Sequence, residues 1–182
     1  MEELSTIPTP CTTKIQALRD SIAQIIVGQT QATDLLLTSV IARGHVLIEG
    51  VPGVAKTLLA RVMAQLIDAR FSRVQFTPDL MPSDVLGTTV YNMKTGDFDF
   101  HPGPVFADVV LADEINRAPA KTQAALFEVM EERQVTVDGT PRAMSDVFTI
   151  IATQNPVEQE GTYKLPEAQL DRFLMKITMD YP

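Results

Sequence analysis

Apolar residues along this 182-residue chain follow two patterns, short runs typical of strands and longer stretches at helical spacing. Five of the runs predict strands, and they begin at Val46, Phe71, Val109, Val147 and Phe173. The run from Val109 to Ala112 is apolar throughout, as in a parallel strand that is covered on both faces. Because helical stretches separate the runs, the pattern predicts an α/β fold.

The helical stretches follow a polar N-terminal segment. Residues 1–13 contain prolines and threonines without periodicity, so we expect a flexible arm before an ordered domain at 14–182. Apolar stripes then predict helices at Ile15–Ile25, Ala32–Val40 and Leu58–Ile67, with a shorter helix at Leu165–Arg172. A further helix is predicted from after Pro119 through Arg133, with Leu126, Val129 and Met130 as its inward stripe. Val27 and Gly28 interrupt the first pair of helices, and a helix C-cap is the simplest explanation of these two residues.

Two β-hairpins are predicted in addition to the main strands. The first has a turn at Lys94-Thr95-Gly96 within Thr88–Phe100, and the second turns at Asp138-Gly139, a strong hairpin signal. The first could be a plain surface hairpin. Its position, where a crossover helix is expected, indicates instead an insertion with a function of its own.

The segment after the Val46 strand carries the most specific chemical pattern in the chain. It matches the phosphate-loop pattern G-x-x-x-x-G-K-[ST], with alanine in place of the second fixed glycine. Its residues are Gly50, Val51, Pro52, Gly53, Val54, Ala55, Lys56 and Thr57, and Leu58 begins the apolar stripe of the next helix. The strand before the loop and the helix after it favour this motif over a glycine turn with an exposed lysine.

Each residue type in the loop has a chemical reason. Gly50 and Gly53 let backbone N–H groups point inward around phosphate oxygens, near the positive end of the following helix. Lys56 reaches the β and γ phosphates, and Thr57 offers its hydroxyl to Mg2+. Ala55 suits a right-handed backbone, whereas a positive φ would strain it. The loop therefore predicts ATP or ADP, with Mg2+, as cofactors.

Adjacent carboxylates, Asp113 and Glu114, end the apolar run that begins at Val109. Two acids at the end of a buried strand repel each other unless a cation is present, and a magnesium nucleotide supplies one. Asp113 would hold the metal ion, usually through water, and Glu114 would orient and deprotonate the attacking water. The alternative is an N-cap for the next helix. Together with the phosphate loop, the pair predicts an ATPase.

Two further polar residues have more than one explanation. Asn155 would stand beside the carboxylates if the Val109 and Val147 strands are neighbours, but Asn155-Pro156 is also an ordinary turn pair. Arg172 could be a surface cation or the partner of Asp171. Sequence spacing alone does not decide either case.

Composition limits the classes of function. The chain has 15 Lys and Arg against 23 Asp and Glu, with a net charge of -8 and a pI near 4.7, which argues against general binding to nucleic acid. Its single cysteine, Cys11, excludes an internal disulfide framework. With no long apolar span or signal-peptide pattern, we expect a cytoplasmic protein without a membrane span.

Several motifs together resemble the ATPase core of the MoxR family of AAA+ proteins, from about Ile15 to Pro182. Beside the phosphate loop they are Phe76–Asp84, Gly103–Phe106, Leu111–Pro119, Ala152–Pro156 and Leu165–Phe173. The resemblance implies a P-loop NTPase fold, a three-layer αβα sandwich around a five-stranded parallel sheet of order 5-1-4-3-2, with the two hairpins as inserts. Alanine before the lysine is common in that family.

The resemblance also implies roles for individual residues. Asn155 corresponds to sensor 1, which positions the water or touches the γ-phosphate. Arg172 corresponds to the arginine finger, which acts on nucleotide bound by a neighbouring subunit. Val27 and Gly28 fall where adenine is commonly packed. The two hairpins correspond to the helix-2 insert and the pre-sensor-1 insert, which face the central pore or the client in related ATPases.

By the same resemblance, we expect a ring, with a hexamer as the expected form, that remodels client proteins or inserts metal or cofactor into them. A protein with a von Willebrand factor A domain is the expected partner. Two alternatives stay open, a nucleotide-dependent binding module without turnover and a magnesium-chelatase-type ATPase subunit. The acidic balance argues against a DNA-translocating relative.

Relatives continue beyond the last strand into a helical lid that carries the sensor 2 arginine. Because this chain stops at Tyr181-Pro182, we expect the large AAA+ subdomain without its lid. Nucleotide would lose contacts to its base and γ-phosphate, so we expect weak ATPase activity for this chain alone. Turnover equal to that of a lid-containing version would contradict this expectation.

Overall fold

The computed structural model describes residues 10–155, 163 and 165–181, and a five-stranded parallel sheet lies at its centre. The strands are β1 (Val46–Gly50), β2 (Phe71–Gln75), β5 (Val109–Asp113), β8 (Thr149–Gln154) and β9 (Met175–Met179). They pair in the order β2-β5-β8-β1-β9, every pair parallel. Numbered by the five predicted runs, this is the predicted order 5-1-4-3-2 seen from the other edge, so the α/β prediction is confirmed.

Helices lie on both faces of the sheet. They are α1 (Pro10–Ala23), α2 (Thr30–Ile41), α3 (Lys56–Leu66), α4 (Pro82–Leu86), α5 (Ala120–Glu132) and α6 (Glu167–Leu170), with 3-10 turns at Pro104–Phe106 and Ile115–Arg117. Strand β5 shows why both faces need cover, because Val109 and Leu111 enter one buried cluster while Val110 and Ala112 enter the other. The predicted three-layer sandwich is therefore observed.

The N-terminal boundary differs from the prediction. Helix α1 begins at Pro10, so residues 10–13 are helical rather than part of a flexible arm; residues 1–9 of that arm lie outside the described residues. Proline suits the first turn of a helix, since its fixed φ is already helical and its missing N–H has no partner there. The apolar periodicity that begins at Ile15 could not reveal this earlier start.

Both predicted hairpins are present. Strands β3 (Gly87–Asn92) and β4 (Asp97–Pro102) form the first, and β6 (Gln134–Val137) and β7 (Thr140–Ala143) form the second. Asp138 and Gly139 have φ of 51° and 74°, as the tight turn between β6 and β7 requires. The guanidinium of Arg142 lies 4.0 Å from the ring centroid of Phe100, which connects the two hairpins through a cation–π contact.

A buried histidine stands just before β1. His45 is 5% exposed; its Nδ1 accepts the N–H of Ile150 at 2.9 Å, and its Nε2 lies 3.2 Å from the carbonyl of Met130. The first bond requires an unprotonated Nδ1, so Nε2 carries the proton and donates it. The pKa of His45 is lowered from 6.5 to about 4, chiefly by burial; the hydrogen bond to Met130 opposes this shift, and the nearby Arg133 charge adds to it.

The neutral His45 predicts a loss of stability in mild acid. The unfolded chain takes up the proton near pH 6.5 and the folded chain only near pH 4, so this contribution is complete above pH 6.5 and is lost as the pH falls through that window. The full contribution is on the order of 3 kcal/mol. Urea unfolding of the wild type and of His45→Asn, which does not titrate, should show a difference that shrinks from pH 7 to pH 5. A constant difference would contradict this role.

Candidate active site

A pocket of about 350 Å³ lies at the carboxyl ends of β1, β5 and β8, where open parallel sheets bind ligands. Its volume is within the range of small-molecule sites. The residues that line it are Pro52, Gly53, Ala55, Lys56, Thr57, Leu58, Asp113, Glu114 and Asn155. The fold therefore brings the phosphate loop together with both carboxylates and the predicted sensor asparagine.

Close packing fixes the base of the phosphate loop. A Cβ at Gly50 would lie 2.5 Å from the carbonyl oxygen of Met179 in β9 and 3.2 Å from Val54 Cγ2, so a larger residue would separate the loop from the sheet. Val54 is 4% exposed and anchors the loop in the core, while Val51 packs at its edge. Gly53 has φ of 89°. Lys56 Nζ donates to the carbonyl of Gly50, so the amine folds back across the loop.

Ala55 has a positive φ, which strains it, rather than the right-handed backbone that suits alanine. Its φ of 65° and ψ of 22° place it in the left-handed region, directly before α3. For a residue with a Cβ, this costs roughly 1–2 kcal/mol. Its carbonyl accepts the N–H of Leu59 at 2.9 Å, so the strained residue also begins the helix that carries Lys56 and Thr57.

Asp113 is buried and held by three side chains. It is 7% exposed, and its Oδ1 accepts a hydrogen bond of 2.6 Å from Thr153 Oγ1. Its Oδ2 lies 3.4 Å from Thr57 Oγ1 and accepts from Arg73 Nη2 at 2.7 Å and Nε at 3.1 Å. A cation from β2 therefore neutralises this carboxylate.

Glu114 turns away from Asp113. Its backbone has φ of 56°, and its N–H donates to Thr153 Oγ1 at 2.9 Å. Its Oε2 accepts from Gln75 Nε2 at 2.9 Å and from Arg117 Nη1 at 3.1 Å. The side chain makes no capping bond to the 3-10 turn that follows, so the N-cap alternative does not describe this residue. The two acids avoid repulsion because each has its own cation.

Four of the residues that hold these acids were not predicted from the sequence. They are Arg73, Gln75, Arg117 and Thr153. A signal was present in β2, where Arg73 and Gln75 alternate around the buried Val74 and so share a face. Gln75 is the register partner of Asp113. The strand order implied by the resemblance places β2 beside β5, but recognising this signal also requires the register of the two strands, which the pattern of residues in β2 does not reveal.

The two residues that the resemblance singled out near the C-terminus lie in different places. Asn155 is 6% exposed and lines the same pocket as Glu114. Arg172 lies outside that pocket, where its Nη2 contacts Glu131 Oε2 at 2.5 Å and its Nη1 donates to the carbonyl of Ala168 at 2.6 Å. Among the described residues, the carboxylate that Arg172 contacts is therefore that of Glu131 on α5, and not that of Asp171.

Val27 and Gly28 do not line the pocket. Helix α1 already ends at Ala23, so these residues belong to the turn before α2 rather than to a helix C-cap. Val27 is 75% exposed, and Gly28 has φ of 79°. Their neighbour Gln29 donates to the carbonyl of Asp180 at 2.6 Å, at the end of β9. Contact with adenine stays a prediction for this pair.

The residues in the pocket fit a magnesium nucleotide. Thr57 and Asp113 offer the oxygen ligands that Mg2+ prefers, and Lys56 and the loop N–H groups suit phosphate. Within the described ranges, no group of three or more His, Cys, Asp or Glu could hold a metal ion. Among the helices that the structure describes, none is long and apolar enough to cross a membrane.

Comparisons with known proteins identify the family of this chain and several relatives. Residues 45–175 match the model of the ATPase family associated with various cellular activities (AAA). The chain is 56% identical over 163 residues to the protein YeaC of Bacillus subtilis, covering 90% of this chain and 51% of that one. It is 54% identical over 161 residues to the chaperone MoxR1 of Mycobacterium tuberculosis, covering 88% and 43%.

A solved structure of a Cytophaga hutchinsonii protein described as an ATPase matches with a TM-score of 0.83 at 51% identity, covering 93% of this chain and 51% of that chain. The chain therefore spans about half the length of the relatives that it matches. The agreement of sequence, fold and pocket shows that this chain belongs to the AAA family of ATPases and is of the MoxR type.

Proposed function

We propose that this chain binds ATP with Mg2+ and hydrolyses it as the motor core of a chaperone-like AAA+ ring. The observation that carries the proposal is one pocket lined by Lys56, Thr57, Asp113, Glu114 and Asn155. These side chains are the groups that phosphate binding, metal binding and water activation require.

Each residue of the pocket has a distinct task. Lys56 leaves the carbonyl of Gly50 to contact phosphate, and the loop N–H groups bind the same oxygens. Thr57 and Asp113 hold Mg2+, which when bound neutralises charge on the β and γ phosphates. Glu114 takes the proton from the attacking water, and Asn155 keeps that water in line. Glu114 must first release its bonds to Gln75 and Arg117.

A second subunit completes the site in this proposal. Arg172 contacts Glu131 and Ala168 instead of lining its own chain's pocket. A ring, with a hexamer as the expected form, would let Arg172 stabilise charge on nucleotide held by the neighbouring subunit. The placement of Arg172 supports this arrangement.

The β3–β4 hairpin supports a role in client contact. It exposes four large apolar side chains, Val90, Tyr91, Met93 and Phe98, at 47%, 53%, 89% and 72%. Client remodelling, insertion of metal or cofactor, and a partner with a von Willebrand factor A domain are the forms of this role that the MoxR resemblance favours.

One observation favours a second candidate function, a nucleotide-dependent binding module without turnover. The only arginine that the family resemblance assigns to catalysis, Arg172, is paired with Glu131 on the same chain. If no neighbour receives this arginine, the pocket holds nucleotide but lacks the cation for the transition state. Measuring phosphate release and nucleotide binding in the same sample distinguishes the two functions.

Replacing Lys56 tests nucleotide binding, which both candidate functions require. We expect Lys56→Ala to weaken ATP binding by roughly 10- to 100-fold, because a charged partner of the phosphates is lost. Titration with a fluorescent ATP analogue measures the affinity, and Lys121→Ala, an exposed lysine on α5, is the matched control. Equal affinities for Lys56→Ala and the wild type would remove the basis for a nucleotide site.

A further inference from the structure

Among the described cations, Arg73 makes the most direct contact with Asp113, the predicted metal ligand. Its Nη2 and Nε lie 2.7 Å and 3.1 Å from Asp113 Oδ2. The same oxygen faces the Thr57 hydroxyl at 3.4 Å. The guanidinium and the Thr57 hydroxyl therefore contact the same carboxylate oxygen, which is the oxygen that a metal ion held by Thr57 and Asp113 would also need.

The Arg73–Asp113 ion pair differs from an ordinary surface ion pair. The Asp113 side chain is only 10% exposed, and its other oxygen is taken by Thr153. Removing the only described cation that contacts a buried carboxylate leaves that charge without compensation. Arg70 and Asp108, next to the opposite end of β2 from Gln75, provide a matched comparison: the Asp108 side chain is also only 14% exposed, whereas Arg70 is 70% exposed against 44% for Arg73.

We propose that Arg73 is the counter-cation of Asp113 in the metal-free chain and that Mg2+ displaces it. Oδ2 already accepts two N–H groups of Arg73. A Mg2+ ion, or a water bound to it, therefore competes with the guanidinium for the same oxygen, and each cation disfavours the other. Arg73 thereby lowers the affinity of the bare chain for metal and reserves Asp113 for a metal that arrives with phosphates. The second part of this inference, that the metal arrives together with nucleotide, rests on the proposed function.

The consequence can be measured without any turnover. Mn2+ alone, titrated by electron paramagnetic resonance in the absence of nucleotide, should bind Arg73→Met on the order of tenfold more tightly than the wild type. Arg73→Lys keeps the charge but loses the double contact, so its affinity should lie between the two. Arg70→Met, which removes a comparable arginine away from the site, should leave Mn2+ affinity unchanged.

Two comparisons separate displacement at Asp113 from a general effect of charge. Arg117→Met removes a nearby cation that contacts Glu114 instead of Asp113, so it should raise Mn2+ affinity less than Arg73→Met. In an Asp113→Asn background, Arg73→Met should bring no gain, because the shared oxygen no longer carries charge. Equal gains for the two arginines, or a gain that persists in Asp113→Asn, would overturn the proposal.

Thermal unfolding gives a second readout. Without divalent cations, Arg73→Met should unfold about 2–4 °C below the wild type, and Mg2+ should stabilise the variant more than the wild type. Equal stabilisation of both proteins would overturn the proposal. Binding of a fluorescent ATP analogue in the presence of Mg2+ is measured alongside; a wild type that fails to bind it would refute the proposed function, whereas the Mn2+ comparison tests Arg73 by itself.

Discussion

Glu114→Gln is expected to stop ATP hydrolysis while ATP remains bound. Glutamine has the size of glutamate and can keep contacts with Gln75 and Arg117, but it cannot accept a proton from water. Loss of a positioned general base costs about 10²- to 10⁴-fold in rate. The phosphate loop is untouched, so the affinity for ATP should change little.

Steady-state phosphate release and binding of a fluorescent ATP analogue, measured on the same protein, give both quantities. Glu132→Gln on α5 removes an exposed carboxylate of the same chemistry and serves as the control. Hydrolysis by Glu114→Gln at the wild-type rate would show that another group activates the water. Loss of ATP binding would show instead that Glu114 holds the nucleotide.

Arg172→Ala is expected to reduce turnover more than any other single change outside the pocket. An arginine supplied to the transferring phosphate is worth about 10³- to 10⁵-fold in rate in related phosphoryl-transfer enzymes. Its pair with Glu131 is partly exposed, so losing this pair should cost at most about 1 kcal/mol of folding stability. The rate of ATP hydrolysis should therefore fall while the variant remains folded.

The rate constant for phosphate release and the melting temperature together check this expectation. Arg61→Ala is the control, since Arg61 is exposed on α3 and leaves the α5–α6 region unchanged. If Arg172→Ala lowers the melting temperature and the rate in step with each other, Arg172 has a structural role. If neither changes, the residue is a surface cation.

The parts of the fold that the sequence predicted correctly depend on local pattern. Val109 to Ala112 had to be a strand covered on both faces, and Asp113 and Glu114 follow it directly, so their place at the strand end was predictable. The Asp138-Gly139 turn was predictable for the same reason, because few residues accept two positive φ angles in succession.

The parts that were missed depend on which elements become neighbours. Arg73 contacts Asp113 because β2 pairs with β5. The strand order implied by the resemblance made these strands neighbours, but the residue pattern within β2 does not give the register that brings Arg73 and Gln75 to the carboxylates. Arg172 contacts Glu131, which lies 41 residues earlier in the chain, whereas sequence spacing pointed to the adjacent Asp171. Ala55 is left-handed because the loop must turn sharply into α3, although alanine itself favours the right-handed region.

The central claim is that one chain supplies the phosphate loop, the metal ligands and the base, while another supplies the arginine. Mixing Glu114→Gln with Arg172→Ala tests it directly. A mixed interface can combine an intact Glu114 from one chain with an intact Arg172 from its neighbour, which random mixing produces at about a quarter of interfaces. We predict that the two inactive variants regain ATP hydrolysis when mixed. A mixture that assembles and stays as inactive as its components would contradict the account.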